Sequence, residues 1–236
     1  MKQLSARLPR LERLERLERL GRLALFAGAA LAVAAGSAIA AVSAAKKEAA
    51  KPDPAKGQAI ATQVCVACHG ADGNSVAPAN PKIAGQFPEY LHKQLANFKP
   101  QGGKKAERDN PVMAAMVANL SADDMTNLAA YYAGQKLKPA TAKDAALAAA
   151  GQKLWRGGNL ATGVAACAGC HGPDGAGIPA QYPRIAGQYA EYIEAQLRSF
   201  QAGQRANDPA GMMRGVAARM SDKEIKAVAE YAAGLR

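Results

Sequence analysis

The chain is expected to be all-α: a tandem repeat of two small helical domains. Three observations lead there. First, one half repeats the other. Pro81-Lys82-Ile83-Ala84-Gly85-Gln86 returns as Pro183-Arg184-Ile185-Ala186-Gly187-Gln188. Glu89-Tyr90, Gln94-Leu95 and Phe98 return as Glu191-Tyr192, Gln196-Leu197 and Phe200, all at an offset of 102 residues. Second, apolar residues recur at helical spacing in both halves, and no strand-like alternation stands out. Third, the 236 residues are 49% hydrophobic but only 5% aromatic. That composition suits Ala-rich helices, or a core completed by a large apolar prosthetic group.

Taken in chain order, residues 1–22 carry seven Lys/Arg and three Glu, and residues 23–44 carry no charge. Basic, then apolar, then small residues is the pattern of an export signal. Val42-Ser43-Ala44 offers a cleavage site before Ala45, and Ala38-Ile39-Ala40 an earlier one. The uncharged stretch is also long enough to span a bilayer. Residues 1–44 are therefore read as a signal peptide or an N-terminal membrane anchor. Either delivers the remainder to the periplasm. The Leu-Glu-Arg run from Leu11 to Arg19 places Glu12 before Arg16 and Glu15 before Arg19, which favours a short helix.

Residues 45–55 are polar, Ala-rich and broken by Pro, as in a flexible leader. Domain one is expected over 56–136, a linker over 137–149, and domain two over 150–236. Short helices are expected over 56–66 and 151–157, leading toward two cysteine pairs. Pro88 suits a first turn, and 88–98 puts Leu91, Leu95 and Phe98 on one face; Ile193, Leu197 and Phe200 repeat the stripe. Ser121 to Asp124 and Ser221 to Glu224 read as capping boxes. Behind them come Met125, Leu128 and Tyr131, then Ile225, Val228 and Tyr231, with Gly134 and Gly234 placed to stop the helices. Two differences separate the copies. An insertion of eight residues falls around Trp155 to Gly163, with a turn at Gly157-Gly158. The offset then shrinks from 102 to 100 before Ser221, so the second copy has a loop two residues shorter.

All four Cys and two of the three His fall in two frames, Cys65-Val66-Ala67-Cys68-His69 and Cys167-Ala168-Gly169-Cys170-His171. Cys-x-x-Cys-His is the frame of covalent c-type haem attachment. Each Cys of a pair can form a thioether to one vinyl group, and the adjacent His can ligate the iron. Two covalently bound haem c groups are expected, with His69 and His171 as proximal ligands. The rival readings are a dithiol redox pair and zinc. Zinc would need four good ligands per site, and each cluster offers three.

The third histidine, His92, is matched by Glu194, so it reads as a surface residue rather than an axial ligand. Methionine is the better candidate for the sixth position. Met113 matches Met213, both eight residues before a cap serine and expected in a loop. Met116 and Met212 lack partners and stand as second choices; Met220, matching Leu120, reads as core. A thioether sulfur favours Fe(II) and raises the potential. It also closes the iron, which suits electron transfer rather than bond-making chemistry. Pro81 and Pro183 stand twelve residues after their His, where a carbonyl can accept from imidazole Nδ1. Gly85 and Gly187 are expected to bring backbone close to the haem, with Tyr and Gln nearby to meet its propionates.

These features resemble the dihaem cytochrome c4 family over about 56–236. The resemblance rests on both Cys-x-x-Cys-His frames, the paired Pro-x-Ile-Ala-Gly-Gln segments, Met213 in Gly-Met-Met-Arg, the stretch from Leu154 to Cys167 and the Ser-capped closing helices. It implies two class I cytochrome c domains related by a pseudo-twofold, with propionate edges facing each other. It implies His69 with Met113 on one iron and His171 with Met213 on the other. It also implies single-electron traffic between a bc1-type quinol:cytochrome c reductase and a terminal oxidase. Residues 45–236 carry 23 Lys/Arg and 16 Asp/Glu, scattered, with no base-reading motif. An acidic redox partner or an anionic membrane surface is expected, and neither nucleic acid nor a small-molecule substrate. The rivals are a catalytic dihaem protein, either a peroxidase or a sulfur-compound dehydrogenase, and a tethered oxidase-complex subunit. No spare Cys is present, and His92, read as a surface residue, does not serve the catalytic readings.

Overall fold

The computed structural model describes residues 51–236. The signal or anchor reading of 1–44, the Leu-Glu-Arg run and most of the 45–55 leader lie outside the described residues. Among those described, every regular element is helical; β-structure is limited to isolated bridges.

In the first half, α1 (Pro54–Ile60) continues through a π-helical turn, Ala61–Cys65, into α2 (Val66–His69). Asp53 starts it: its Oδ1 accepts from the amides of Ala55 and Lys56, with Pro54 in the first turn. Pro54 and Ala55 are thus helix rather than leader. Next come α3 (Pro88–Asn97), α4 (Pro111–Val117) and α5 (Ala122–Ala133). The second half gives α6 (Ala145–Gly157), α7 (Ala168–His171), α8 (Ala190–Gln201), a 3₁₀ turn at Pro209–Gly211, α9 (Met212–Ala217) and α10 (Asp222–Gly234).

Both capping boxes form. Ser121 and Asp124 satisfy each other's backbone at the head of α5, and Ser221 and Glu224 do so for α10. The stops agree with expectation only in the first half. There α5 ends at Gly134, although in a right-handed conformation, φ −76°, whereas α10 runs through Gly234 to an extended Leu235. Neither glycine supplies a left-handed cap.

In each half the first helix packs on the last, α1 on α5 and α6 on α10. The crossing is set by a glycine. A Cβ on Gly57 would lie 2.1 Å from the Asn127 carbonyl oxygen, and one on Gly151 would lie 2.0 Å from that of Ala227. Backbone cannot yield as a side-chain tip can, so Gly151→Ala is expected to push α6 off α10. The cost is about 1–3 kcal/mol or more, read as a lower denaturant midpoint.

The expected linker is largely structured. Residues 145–149 are already α6, and the Glu230 carboxylate accepts from the amides of Lys143 and Asp144. Ahead of them, Lys138 N–H donates to Asn74 Oδ1 at 2.7 Å, and Ala140 N–H to the Gly187 carbonyl at 2.8 Å. One strap thus touches both halves. The inserted residues of the second copy form a closed loop after α6. Gly158 turns the chain at φ 65°, and Asn159 and Val164 exchange backbone bonds of 2.8 and 3.0 Å.

The halves meet reciprocally. Gln86 holds Arg184, donating to its carbonyl (2.7 Å) and accepting from its amide (3.1 Å). Gln188 does the same to Lys82, at 2.7 and 3.0 Å. Gln86 and Gln188, and Lys82 and Arg184, are repeat partners. Contacts that map onto themselves in this way define a pseudo-twofold.

Candidate functional site

Each cysteine pair sits on a single short turn that ends in its histidine. His69 and His171 are each only 8% exposed, whereas Cys68 and Cys170 are exposed on the cavity that the histidines also line. All four cysteines are free thiols. Burial pushes the Cys65 thiol up, opposed by the neighbouring Tyr132 hydroxyl, and pushes Cys167 up to about 11. Burial also lowers both histidines, with the proline carbonyls opposing it.

His69 Nδ1 lies 2.9 Å from the Pro81 carbonyl oxygen, and His171 Nδ1 lies 3.0 Å from that of Pro183. A carbonyl can only accept, so Nδ1 carries the proton. Nε2 is left with its lone pair free. A neutral, oriented imidazole of this kind is what a metal ligand requires.

Both histidines open onto one cavity of about 900 Å³, continuous across the two halves. Its apolar walls come from the helical stripes: Leu91, Leu95 and Phe98 in the first half, Ile193, Leu197 and Phe200 in the second. Met113 and Met213 line it and are half-buried. They sit on helices and not in a loop. Asn110 Oδ1 accepts the Met113 amide at 2.9 Å to start α4. Asp208 Oδ2 accepts the Arg214 amide beside Met213 at 3.0 Å, in the first turn of α9. Met116 and Met212 reach the same cavity but are 43% and 41% exposed. Met220 is buried, and His92 is partly exposed on α3.

Gly85 and Gly187 do not face the cavity. A Cβ on Gly85 would meet the Gln135 carbonyl, and one on Gly187 would meet Pro139. Their positive φ values, 66° and 67°, let the chain tuck under the segment leaving the last helix of the first half. The glutamines beside them are spent on the clasp between halves.

Sequence reasoning missed two arginines. Arg108 stacks on Phe98 at 4.6 Å and Arg205 on Phe200 at 4.5 Å. Arg108 N–H donates to the Asn97 carbonyl and Arg205 N–H to that of Ser199, and the two residues form an antiparallel bridge with each other. Each then reaches into the other half. Arg108 donates to Tyr192 Oη (2.7 Å) and Gln196 Oε1 (2.8 Å); Arg205 donates to Tyr90 Oη (3.0 Å) and Gln94 Oε1 (3.2 Å). These partners are neutral, and both guanidinium groups line the cavity. Two like charges held together among neutral acceptors are costly until anions join them.

This is the chemistry that haem c fits. Four reduced thiols are available for thioethers, two neutral imidazoles for iron, thioether sulfurs on the same cavity for the sixth position, and two cations for carboxylates.

The comparisons agree. The cytochrome c family profile matches residues 54–135 and 148–235. Cytochrome c4 of Thiocapsa roseopersicina is 50% identical over 185 residues, covering 78% of this chain and 93% of that protein. A thiosulfate dehydrogenase electron acceptor of Thiomonas intermedia is 41% identical over 172 residues, covering 72% and 77%. The crystal structure of reduced recombinant cytochrome c4 from Pseudomonas stutzeri superposes with a TM-score of 0.74 at 44% identity, covering 79% of this chain and all of that one. With two cytochrome c domains in tandem, matched at this identity over nearly the full length of such relatives, the chain belongs to the dihaem cytochrome c4 family, whose members carry electrons.

Proposed function

We propose that Cys65 and Cys68 hold one covalent haem c and Cys167 and Cys170 the other. His69 with Met113, and His171 with Met213, would close the two irons. The observation that carries this reading is the twofold recurrence of one arrangement: a Cys-x-x-Cys-His turn, an imidazole pinned by a proline carbonyl, and a half-buried methionine on the same cavity. Thioether formation adds each S–H across a vinyl group, so four free thiols are the required starting state. When bound, haem supplies a one-electron couple; soft sulfur ligation favours its reduced state.

The chain's own residues do the rest. Pro81 and Pro183 hold the imidazoles in one tautomer. The apolar stripes exclude water. Arg108 and Arg205, placed at the pseudo-twofold and lining the cavity, would hold the haem carboxylates by their charge. A closed centre passes electrons without binding substrate, which agrees with an electron carrier rather than an enzyme.

The chain works in the periplasm, delivered by residues 1–44. It takes electrons from a bc1-type reductase and passes them to a terminal oxidase. Among the described residues no helix is long and apolar enough to cross a membrane. Likeness to a thiosulfate dehydrogenase electron acceptor favours a second donor, a sulfur-compound dehydrogenase, feeding the same carrier.

Optical spectra of the purified holoprotein, with haem stoichiometry, test the site. Two haems per chain, low-spin in both oxidation states, with a Met–iron band and no response to CO, are expected. A high-spin fraction, or uptake of CO by one haem, would overturn the Met113 or Met213 assignment and restore the catalytic rival.

A further inference from the structure

The two domains fill the same core position differently. Gly57 and Gly151 occupy equivalent crossings, each against the carbonyl and Tyr Cβ of its last helix. Counting from them, Ala61 corresponds to Trp155, and both are buried, at 0% and 1% exposed. On the last helix, Tyr132 corresponds to Ala232, at 3% and 0%. The first domain pairs Ala61 with Tyr132, and the second pairs Trp155 with Ala232. The aromatic bulk comes from opposite helices.

The polar atoms of the two aromatics have different fates. Trp155 Nε1 donates to the Gly172 carbonyl at 3.2 Å. Tyr131 Oη, beside Tyr132, donates to the Ala71 carbonyl at 2.9 Å. The Tyr132 hydroxyl is buried and makes no well-formed hydrogen bond. It lies beside Cys65 and lines the cavity. A buried hydroxyl whose polar neighbour is the weakly accepting Cys65 sulfur is poorly satisfied, and here it faces the thioether edge that the haem reading assigns.

We propose that Tyr132 is a potential-setting residue of the first domain alone. Its O–H dipole, directed at the cofactor edge beside Cys65, favours the reduced state there. Low surrounding polarity strengthens the effect. The second domain has no equivalent, because Ala232 has no polar atom and Trp155 Nε1 is already engaged. The sequence thus makes two domains of one fold unequal as electron acceptors. This rests on the haem reading above.

The test is Tyr132→Phe in the holoprotein. A redox titration is followed through the haem methyl NMR resonances of each domain. The first domain's one-electron equilibrium constant is expected to fall roughly two- to tenfold, the effect of one lost hydrogen bond, while the second domain's wave stays in place. Equal movement of both waves, or of neither, overturns the proposal; a merely structural phenol would lower the melting temperature and leave the potential alone. In the wild-type reduced protein, a slowly exchanging Tyr132 hydroxyl proton close to the first domain's thioether protons is expected, and its absence counts against the proposal even where the variant folds poorly. Failure of the haem reading is separate: the holoprotein would then lack two His/Met haem signatures from the start.

Discussion

Met213→Ala is expected to leave a holoprotein in which one haem takes up CO and the other does not. The side chain lies on α9, half-buried on the cavity that His171 also lines. Its neighbour Met212 is 41% exposed, so it is poorly placed to substitute. Alanine cannot supply a ligand, and the iron of that domain would open. The Met–iron absorption band should fall by about half, because Met113 still serves the first domain under this reading. Met213→His should keep the centre closed and low-spin. It should lower the second domain's potential by on the order of a few tenths of a volt, within the ~0.8 V that axial ligation spans. Met113→Ala should produce the mirror result in the first domain. If instead Met213→Ala leaves both haems closed and Met212→Ala opens one, the ligand is Met212.

Trp155→Ala should cost about 3–5 kcal/mol, the range for removing a buried large aromatic. Trp155 is 1% exposed and belongs to a cluster with Leu154, Ile193, Leu197, Ile225 and Val228. Its ring lies tilted against those of His171 and Tyr231, with centroids 6.4 and 6.0 Å away. Ala232, in the same cluster, offers no bulk to refill the space. The loss should fall on the second domain. Calorimetry should then resolve an early transition for that domain and a later one close to the wild-type value for the first. A single cooperative transition, shifted as a whole, would show that the Gln86 and Gln188 clasps and the strap through Lys138 and Ala140 weld the domains into one unfolding unit.

Much of this architecture was legible from spacing. The Cys-x-x-Cys-His frames are local, because a thioether pair and its adjacent ligand must share one helical turn. The capping boxes are local for the same reason: four residues close on themselves. The stripe Leu91, Leu95, Phe98 follows the helical period, and its burial follows from that. Pro81 and Pro183 were recognisable because a rigid repeat holds them twelve residues from their histidines, and each carbonyl does meet its Nδ1.

What escaped the linear reading depends on contacts between distant residues. Ten positions separate Phe98 from Arg108, but only five separate Phe200 from Arg205. From there to the repeat methionines it is five in the first copy and eight in the second. The apparent two-residue deletion is thus a larger deletion and an insertion that nearly cancel. A constant offset aligns Arg108 with the wrong residues, and the arginine pair disappears from view. Only the shared stacking on Phe98 and Phe200, and the shared bond to Asn97 and Ser199, restores the equivalence. The exchange of Ala61 and Tyr132 for Trp155 and Ala232 is hidden likewise, because its two members lie some seventy residues apart and meet only where α1 crosses α5 and α6 crosses α10. Gly85 and Gly187 mislead for the same reason: conformational freedom can be read from a glycine, but what approaches it cannot. Covalent chemistry and helical periodicity act over a few residues, so a string of letters carries them. Reciprocal docking, and the inequality between two copies of one fold, arise from which surfaces meet, and only the folded chain brings those surfaces together.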